Sequence, residues 1–511
     1  MQKKFYITTT LPYVNADPHI GFGLEIVQAD VIARYHRMCG DEVIFNTGTD
    51  EHGQKIWKAA TDAKMDTQAY CDLYAAKFAE LKAALNLSYT HFIRTTDAHH
   101  VKAAQAFWLR CREAGDIYKK QYQVKYCVGC ELEKTDSELG DDRCPLHPKL
   151  AIEFRDEENY FFRWSKYQQP LLDYYAAHPD FVLPEGRYQE IKNFVSSGLQ
   201  DFSISRLKTK MPWGIAVPDD PAHVMYVWFD ALINYIATLG WPEDEGTFKT
   251  FWPGVQIAGK DNLRQQSAMW QGMLLSAGLP LSQQILIHGF FTVDGQKISK
   301  SLGNVINPIE LTQKYSIDAV RYFFLREIPF GEDGDFSIAR LGERYNSDLA
   351  NGVGNLTARV VTLAAKVTEG HPESFDFAQD KLRRGISHSL LEEKSKATWG
   401  IYEKAINEFR FHDALAAVWD FIKTCDGYIE EKKPWALKGE EAAAVIAPLL
   451  ESLRAIAWWL WPVMPTTAEG IFTQLGILEE AKKQSLDTAK KWGGTVFHSV
   501  KGNSLFPRLT S

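Results

Sequence analysis

Long apolar segments are what this chain most plainly lacks. No uncharged run reaches the ~18–20 residues that a membrane span requires, and the richest stretch, 456–464, is short and interrupted by Pro462. No membrane partner is expected. The first residues are basic but lead into a β-branched run without a long apolar core, so no secretory leader is expected either. Cysteine is sparse: seven in 511 residues, an odd number, with only three close together. That excludes a disulfide framework and fits a reducing, cytoplasmic setting. A basic excess is missing as well, since 57 Lys and Arg face 65 Asp and Glu for a net charge of −8. Any nucleic-acid partner must therefore be held by a local patch.

What is present is the composition of a globular protein, 45% apolar and 24% charged, long enough for three or four structural units at ~100–200 residues each. Strand and helix patterns alternate over 1–114 and again over 226–305, which predicts an α/β domain with a parallel, Rossmann-type sheet. Between them, 115–225 is rich in turns, aromatics and clustered cysteine, and reads as an insertion splitting that domain. A connecting helical segment over 306–345 leads to 346–511, where long amphipathic patterns predict an α-helical bundle. Within it, 371–380 is a polar interruption with Pro372, a loop between helices. Trp458, Trp459 and Trp461 fall in a helical pattern and read as bundle core.

Two segments carry chemistry. In the first, the loop at 10–23 leaves the opening strand and begins a helix, so backbone N–H groups stand where a parallel sheet binds ligands. His19 can donate to an anion, and Gly21 and Gly23 allow close approach. Alone, this is also an ordinary strand-to-helix turn capped by His19. In the second, Lys297, Ser299, Lys300 and Ser301 crowd five residues after a turn, a positive loop able to close over a triphosphate or simply a solvated basic loop. A metal signal stands apart: Cys127 and Cys130, then after 13 residues Cys144 and His147, with two residues inside each pair. This is the spacing of a closed tetrahedral zinc site, hence one structural ion.

Together the His-Ile-Gly element at 19–21 and the Lys-Ile-Ser-Lys-Ser loop at 297–301 resemble the two signatures of class I aminoacyl-tRNA synthetases. The flanking runs at 11–15, 47–53 and 226–231 are similar to those of the methionyl-tRNA synthetases, and the likeness spans about 5–508. The resemblance implies ATP-dependent activation of L-methionine followed by transfer to tRNA(Met), with Mg2+ accompanying ATP. It implies catalytic roles for His19, Lys297 and Lys300, and contacts to ATP from His19, Gly21, Gly259, Asp261, Lys297 and Lys300. Trp228, Ala231, Leu232 and Tyr235 stand at i, i+3, i+4 and i+7, one face of a helix, which more commonly packs a core. The family match makes that face a methionine pocket, with Leu11, Tyr13 and Gln266, and gives Asp50 the substrate ammonium; Asp50 otherwise reads as a helix cap. It also assigns Asn355, Arg359 and Trp435 to the anticodon and places the zinc knuckle near the tRNA acceptor end.

Two departures stand out. Phe22 occupies the position of a second motif histidine and cannot donate to a phosphate, and Gln266 stands where many relatives carry histidine. A synthetase for another apolar amino acid, or a catalytically silent zinc-containing tRNA-binding relative, remains compatible with these motifs. The insertion leaves little room for a large editing domain, and the chain's end leaves none for an appended dimerisation domain, so a monomer is expected.

Overall fold

A computed structural model of the chain describes residues 2–127, 132–134, 139–140, 143–145, 148–298, 304–368, 375–376 and 390–509. Its centre is a six-stranded sheet in the order His91–Arg94, Glu42–Thr49, Lys4–Thr8, Val255–Gly259, Gln284–His288, Val182–Leu183. Every neighbouring pair is parallel. The inner strands are apolar almost throughout and buried on both faces, as a sheet covered by helices requires. Lys4–Thr8 pairs with Glu42–Thr49 on one side and with Val255–Gly259 on the other. The chain thus winds outward in both directions from its first strand, and the carboxyl end of that strand is the switch point where such sheets hold ligands.

The sequence places all of 115–225 in one insertion, and here the structure differs. Its outer part is a long antiparallel pair, Ile117–Cys127 with Ile152–Phe162, flanked by Leu132–Lys134 and Phe202–Ser203. Val182–Leu183, however, forms the edge strand of the central sheet. Two residues give no periodic signal, so only the pairing reveals them. After the sheet, Pro308–Lys314, Ile317–Glu327 and Ile338–Arg344 connect to a bundle of Asn355–Thr368, Leu390–Asn407, Phe411–Lys432, Gly439–Leu460 and Pro465–Leu475. Among the described residues, only Gly439–Leu460 is long and apolar enough to cross a membrane, and it is the mostly buried core helix of this bundle. Trp458 and Trp459 are buried in it, as expected. Most of the expected loop at 371–380 lies outside the described residues; Phe375–Asp376 pairs with Val496–Phe497.

One buried guanidinium joins the two halves. Arg321, on Ile317–Glu327, pairs at 2.8 Å with Asp30 of helix Ile20–Met38. It also donates to the carbonyls of Leu85, Pro462 and Val463 at 3.0, 3.0 and 2.7 Å. Without this guanidinium, Asp30 would keep Arg34 at 2.7 Å and Ser88 at 2.6 Å, but the three buried carbonyls would lose their donor, at ~1–3 kcal/mol for each buried group left unsatisfied. Arg321→Leu is therefore expected to lower unfolding stability by that order in urea titration; a loss under ~1 kcal/mol would contradict the pairing.

Candidate active site

A cavity of about 480 Å³ opens at the switch point. One end of it is built on the N-terminus of Ile20–Met38, where backbone N–H groups and the helix dipole favour an anion. His19 caps this helix through its own ring: Nδ1 accepts from the Gly21 N–H at 3.1 Å. Because Nδ1 is the acceptor, the neutral ring carries its proton on Nε2, which is left to donate. A Cβ on Gly21 would lie 2.9 Å from His19 Cε1, so only glycine lets the imidazole fold over the helix end. Gly259 ends its strand under a similar constraint, since a Cβ there would meet Asp261 Oδ1 at 2.8 Å. Phe22 also lines the cavity and packs edge-on against Phe78 at 5.8 Å. The ring replacing the second motif histidine is thus seated in an apolar contact.

The other end is apolar with a buried charge. Asp50 continues from Glu42–Thr49 and is held in register by backbone bonds, its N–H to the Pro12 carbonyl at 3.0 Å and its carbonyl to the Val14 N–H at 3.3 Å. Its carboxylate is buried, and Oδ1 has no hydrogen-bond partner. Burial first, and then the charge of Asp230, push its pKa well above the ordinary carboxylate range. Leu11, Tyr13, Trp228, Ala231, Leu232, Tyr235 and Gln266 all line this cavity. Trp228, Ala231, Leu232 and Tyr235 do so despite a difference from the expected helix: 227–237 is two pieces, Val227–Ala231 and Asn234–Ala237. Gln266 donates from Nε2 to the Tyr235 hydroxyl at 2.6 Å, leaving its own Oε1 buried without a partner.

Sequence reasoning missed a polar pair on the cavity floor. Glu25 Oε1 accepts from the Thr10 N–H and hydroxyl at 2.7 and 2.6 Å, and Oε2 is hydrogen-bonded to His288 Nε2 at 2.9 Å. His288 Nδ1 donates to the Gly289 carbonyl at 2.7 Å. The one available signal was an acidic residue inside the densely apolar start of a helix. Of the basic loop, the Lys297 backbone lies in Gln296–Lys297, paired to Phe291–Val293, whose Phe291 lines the cavity. The Lys297 side chain and all of Lys300 lie outside the described residues, as do Cys130, His147 and the Cys127 side chain. Cys144 is buried, and no metal-binding group is found among the described residues.

In the bundle, Asn355 is exposed one turn from Arg359, on the same face. Arg359 pairs with Asp426 at 3.5 Å and Glu430 at 2.6 Å, near the end of Phe411–Lys432. Trp435 follows that end with half its surface exposed. Asn355 and Arg359 thus share one polar helix face, and Trp435 follows the helix whose Glu430 pairs with Arg359.

A split parallel sheet with its cavity at the switch point, followed by a helical bundle, agrees with the fold of the class I aminoacyl-tRNA synthetases, and the likeness to known proteins shows that class. The chain matches the family model for class I tRNA synthetases of the M type over 5–151 and 129–361, and that for the anticodon-binding domain of tRNA ligases over 390–499. It is 45% identical over 486 residues to the methionine--tRNA ligase of Thermosynechococcus vestitus, covering 93% of this chain and 90% of that one. With the enzyme of the same name from Rickettsia bellii it shares 41% over 520 residues, the whole of both chains. Its fold matches a Mycobacterium tuberculosis methionyl-tRNA synthetase in complex with methionyl-adenylate, with a TM-score of 0.89, 37% identity, and coverage of 99% and 100%. The chain belongs to the methionine--tRNA ligase family.

The His19 fold-over gives a direct test. A methyl group in Gly21→Ala displaces the imidazole, and a hydrogen bond to a charged group is worth ~1.5–3 kcal/mol, or roughly 10- to 100-fold in rate. Adenylate formation at limiting ATP is expected to fall by that factor with thermal stability retained. A variant within about twofold of the parent would contradict this role for the capped ring.

Proposed function

We infer that this chain couples L-methionine to tRNA at the expense of ATP. The methionine carboxylate attacks the α-phosphorus and pyrophosphate leaves; the terminal ribose hydroxyl of tRNA then attacks the adenylate carbonyl and AMP leaves. Neither step needs an enzyme nucleophile, so positioning and charge stabilisation carry the chemistry. The observation on which the reading rests is Asp50. A buried carboxylate with an unpartnered oxygen, inside a cavity otherwise walled by aromatic and aliphatic groups, is complementary to an ammonium attached to an apolar side chain. A flexible thioether packs well against the rings of Tyr13, Trp228 and Tyr235.

At the opposite end, His19 Nε2 and the helix N-terminus receive phosphate oxygens, Gly21 and Gly259 admit the nucleotide closely, and Asp261 accepts from its hydroxyls. Lys297 and Lys300 supply positive charge to the phosphates, with Mg2+ arriving on ATP. Asn355 and Arg359 offer donors to base edges and Trp435 a stacking surface, suited to an unpaired anticodon. Cys127, Cys130, Cys144 and His147 would hold one zinc ion that orders the insertion. In support, Cys127 ends a strand that pairs with Leu132–Lys134. Reciprocal bonds between Gly140 and Arg143 turn the chain just before Cys144. The buried free thiols of Cys71, Cys111 and Cys425 suit a reducing cytoplasm, and a monomer completes the reading.

Two measurements test it. Methionine should be the one apolar amino acid that efficiently supports exchange of pyrophosphate into ATP; better exchange with leucine or isoleucine would overturn the substrate. Below its raised pKa, Asp50 of the free enzyme holds a proton that an ammonium must displace. Methionine affinity should therefore rise about tenfold per pH unit up to the raised pKa of Asp50 and level off above it. That acid limb should lie above the ordinary value of ~3.9 and vanish in Asp50→Asn, with methionine binding at least ~30-fold weaker on its plateau. A limb unchanged in the variant would overturn the role of Asp50.

For the bundle, Trp435→Ala is expected to cut aminoacylation at limiting tRNA by roughly tenfold or more, as loss of ~1–3 kcal/mol of stacking implies, while pyrophosphate exchange stays unchanged. Equal loss in both reactions would contradict an anticodon role.

A further inference from the structure

Behind the amino-acid end of the cavity lies a buried cluster of titratable groups that the mechanism above does not use. Asp230 is fully buried, and its two oxygens are taken by two imidazoles: His52 Nδ1 donates to Oδ2 at 2.6 Å and His100 Nε2 to Oδ1 at 2.7 Å. Burial alone would raise the Asp230 pKa, but these two rings outweigh it and bring the value down to about 2. The carboxylate is therefore ionised, and both facing nitrogens carry hydrogen. His100 Nδ1, equally buried, has no partner, so its polar engagement in the protein is with Asp230 alone.

The three residues come from three elements. His52 lies two residues beyond Asp50, His100 is on helix Ala98–Glu113 after the third strand of the chain, and Asp230 is on Val227–Ala231 between Trp228 and Ala231. One carboxylate thus ties the loop that presents the ammonium-facing charge to the wall that receives the side chain. Buried ionic groups are weak contributors to stability compared with apolar residues of like volume, and their best-attested use is to fix register. We propose that Asp230, His52 and His100 form a positioning network that sets the distance between the Asp50 carboxylate and the Trp228 wall, and thereby the affinity for the amino-acid substrate. The inference rests on reading the cavity as the methionine pocket.

The groups facing Asp50 are Tyr13, Glu51, Cys71, Asp230 and Tyr235, with His52 donating through its backbone. Of these, Asp230 is the charged neighbour whose removal least alters shape. In pyrophosphate exchange, Asp230→Asn is expected to raise the KM for methionine at least tenfold, to leave the KM for ATP within about threefold, and to move the acid limb of methionine affinity to lower pH. His52→Leu and His100→Leu should raise the methionine KM likewise. His52→Asn and His100→Gln, which keep an N–H near Nδ1 and Nε2 respectively, should recover most of the loss. Equal changes in both KM values, a change in kcat alone, or no rescue by the amides would overturn the proposal. Should a leucine variant fail to fold, Asp230→Asn decides alone, and an unchanged methionine KM in it overturns the network. Absence of methionine-dependent exchange in the unmodified protein would instead overturn the pocket reading itself.

Discussion

A carboxylate buried without a counter-charge is expensive, and the Asp50 site is organised around keeping one in place. Desolvating such a group costs several kcal/mol, so it persists only where the surrounding chain is rigidly determined. The next residue shows how that is done. Glu51, also fully buried, takes a two-pronged contact from Arg94 at 2.6 and 2.9 Å and accepts from the hydroxyls of Thr49 and Thr96 at 2.7 and 2.5 Å. Trp213 Nε1 donates to its carbonyl at 2.6 Å. The loop is therefore held from both sides, and Asp50 cannot turn away to find water or a partner of its own. The unsatisfied oxygen is kept for a ligand.

The same economy of placement extends outward along helix Ile20–Met38. Its first turn forms one end of the cavity. A Cβ on Gly23 would meet Phe324 at 3.3 Å, so the helix lies close against Ile317–Glu327. Two turns on, Asp30 meets Arg321, which reaches the carbonyls of Pro462 and Val463 in the turn between Gly439–Leu460 and Pro465–Leu475. The bundle is thus joined to the catalytic sheet by packed side chains and a buried ion pair. The distance between the cavity and the polar surface around Arg359 and Trp435 is set by these contacts.

Much of this was legible in the sequence because strong local signals coincide with the functional loops. The strand-to-helix turn at His19 and Gly21 and the strand end at Asp50 are legible because glycine, histidine and acid break an apolar pattern there. The Trp228 to Tyr235 spacing selected residues that line one cavity even though the helix breaks at 232–233, since two short helical pieces keep those residues on one side. What was not legible is long-range. Glu25 and His288 are 263 residues apart, and no local pattern announces such a pair. Asp230 was visible only as part of a motif; that two histidines from other elements converge on it is a fact of tertiary packing. Val182–Leu183 is too short to carry a period at all.

The central claim is that one buried charge recognises one ammonium. Calorimetric titration with L-methionine and with 4-(methylthio)butanoate, which keeps the thioether and carboxylate but lacks the amine, measures it most directly. The amine-free compound should bind the unmodified protein at least ~30-fold more weakly than methionine, and the gap should close in Asp50→Asn, because the lost contact is then missing from both complexes. Equal affinities in the unmodified protein, or a gap that survives the substitution, would contradict it.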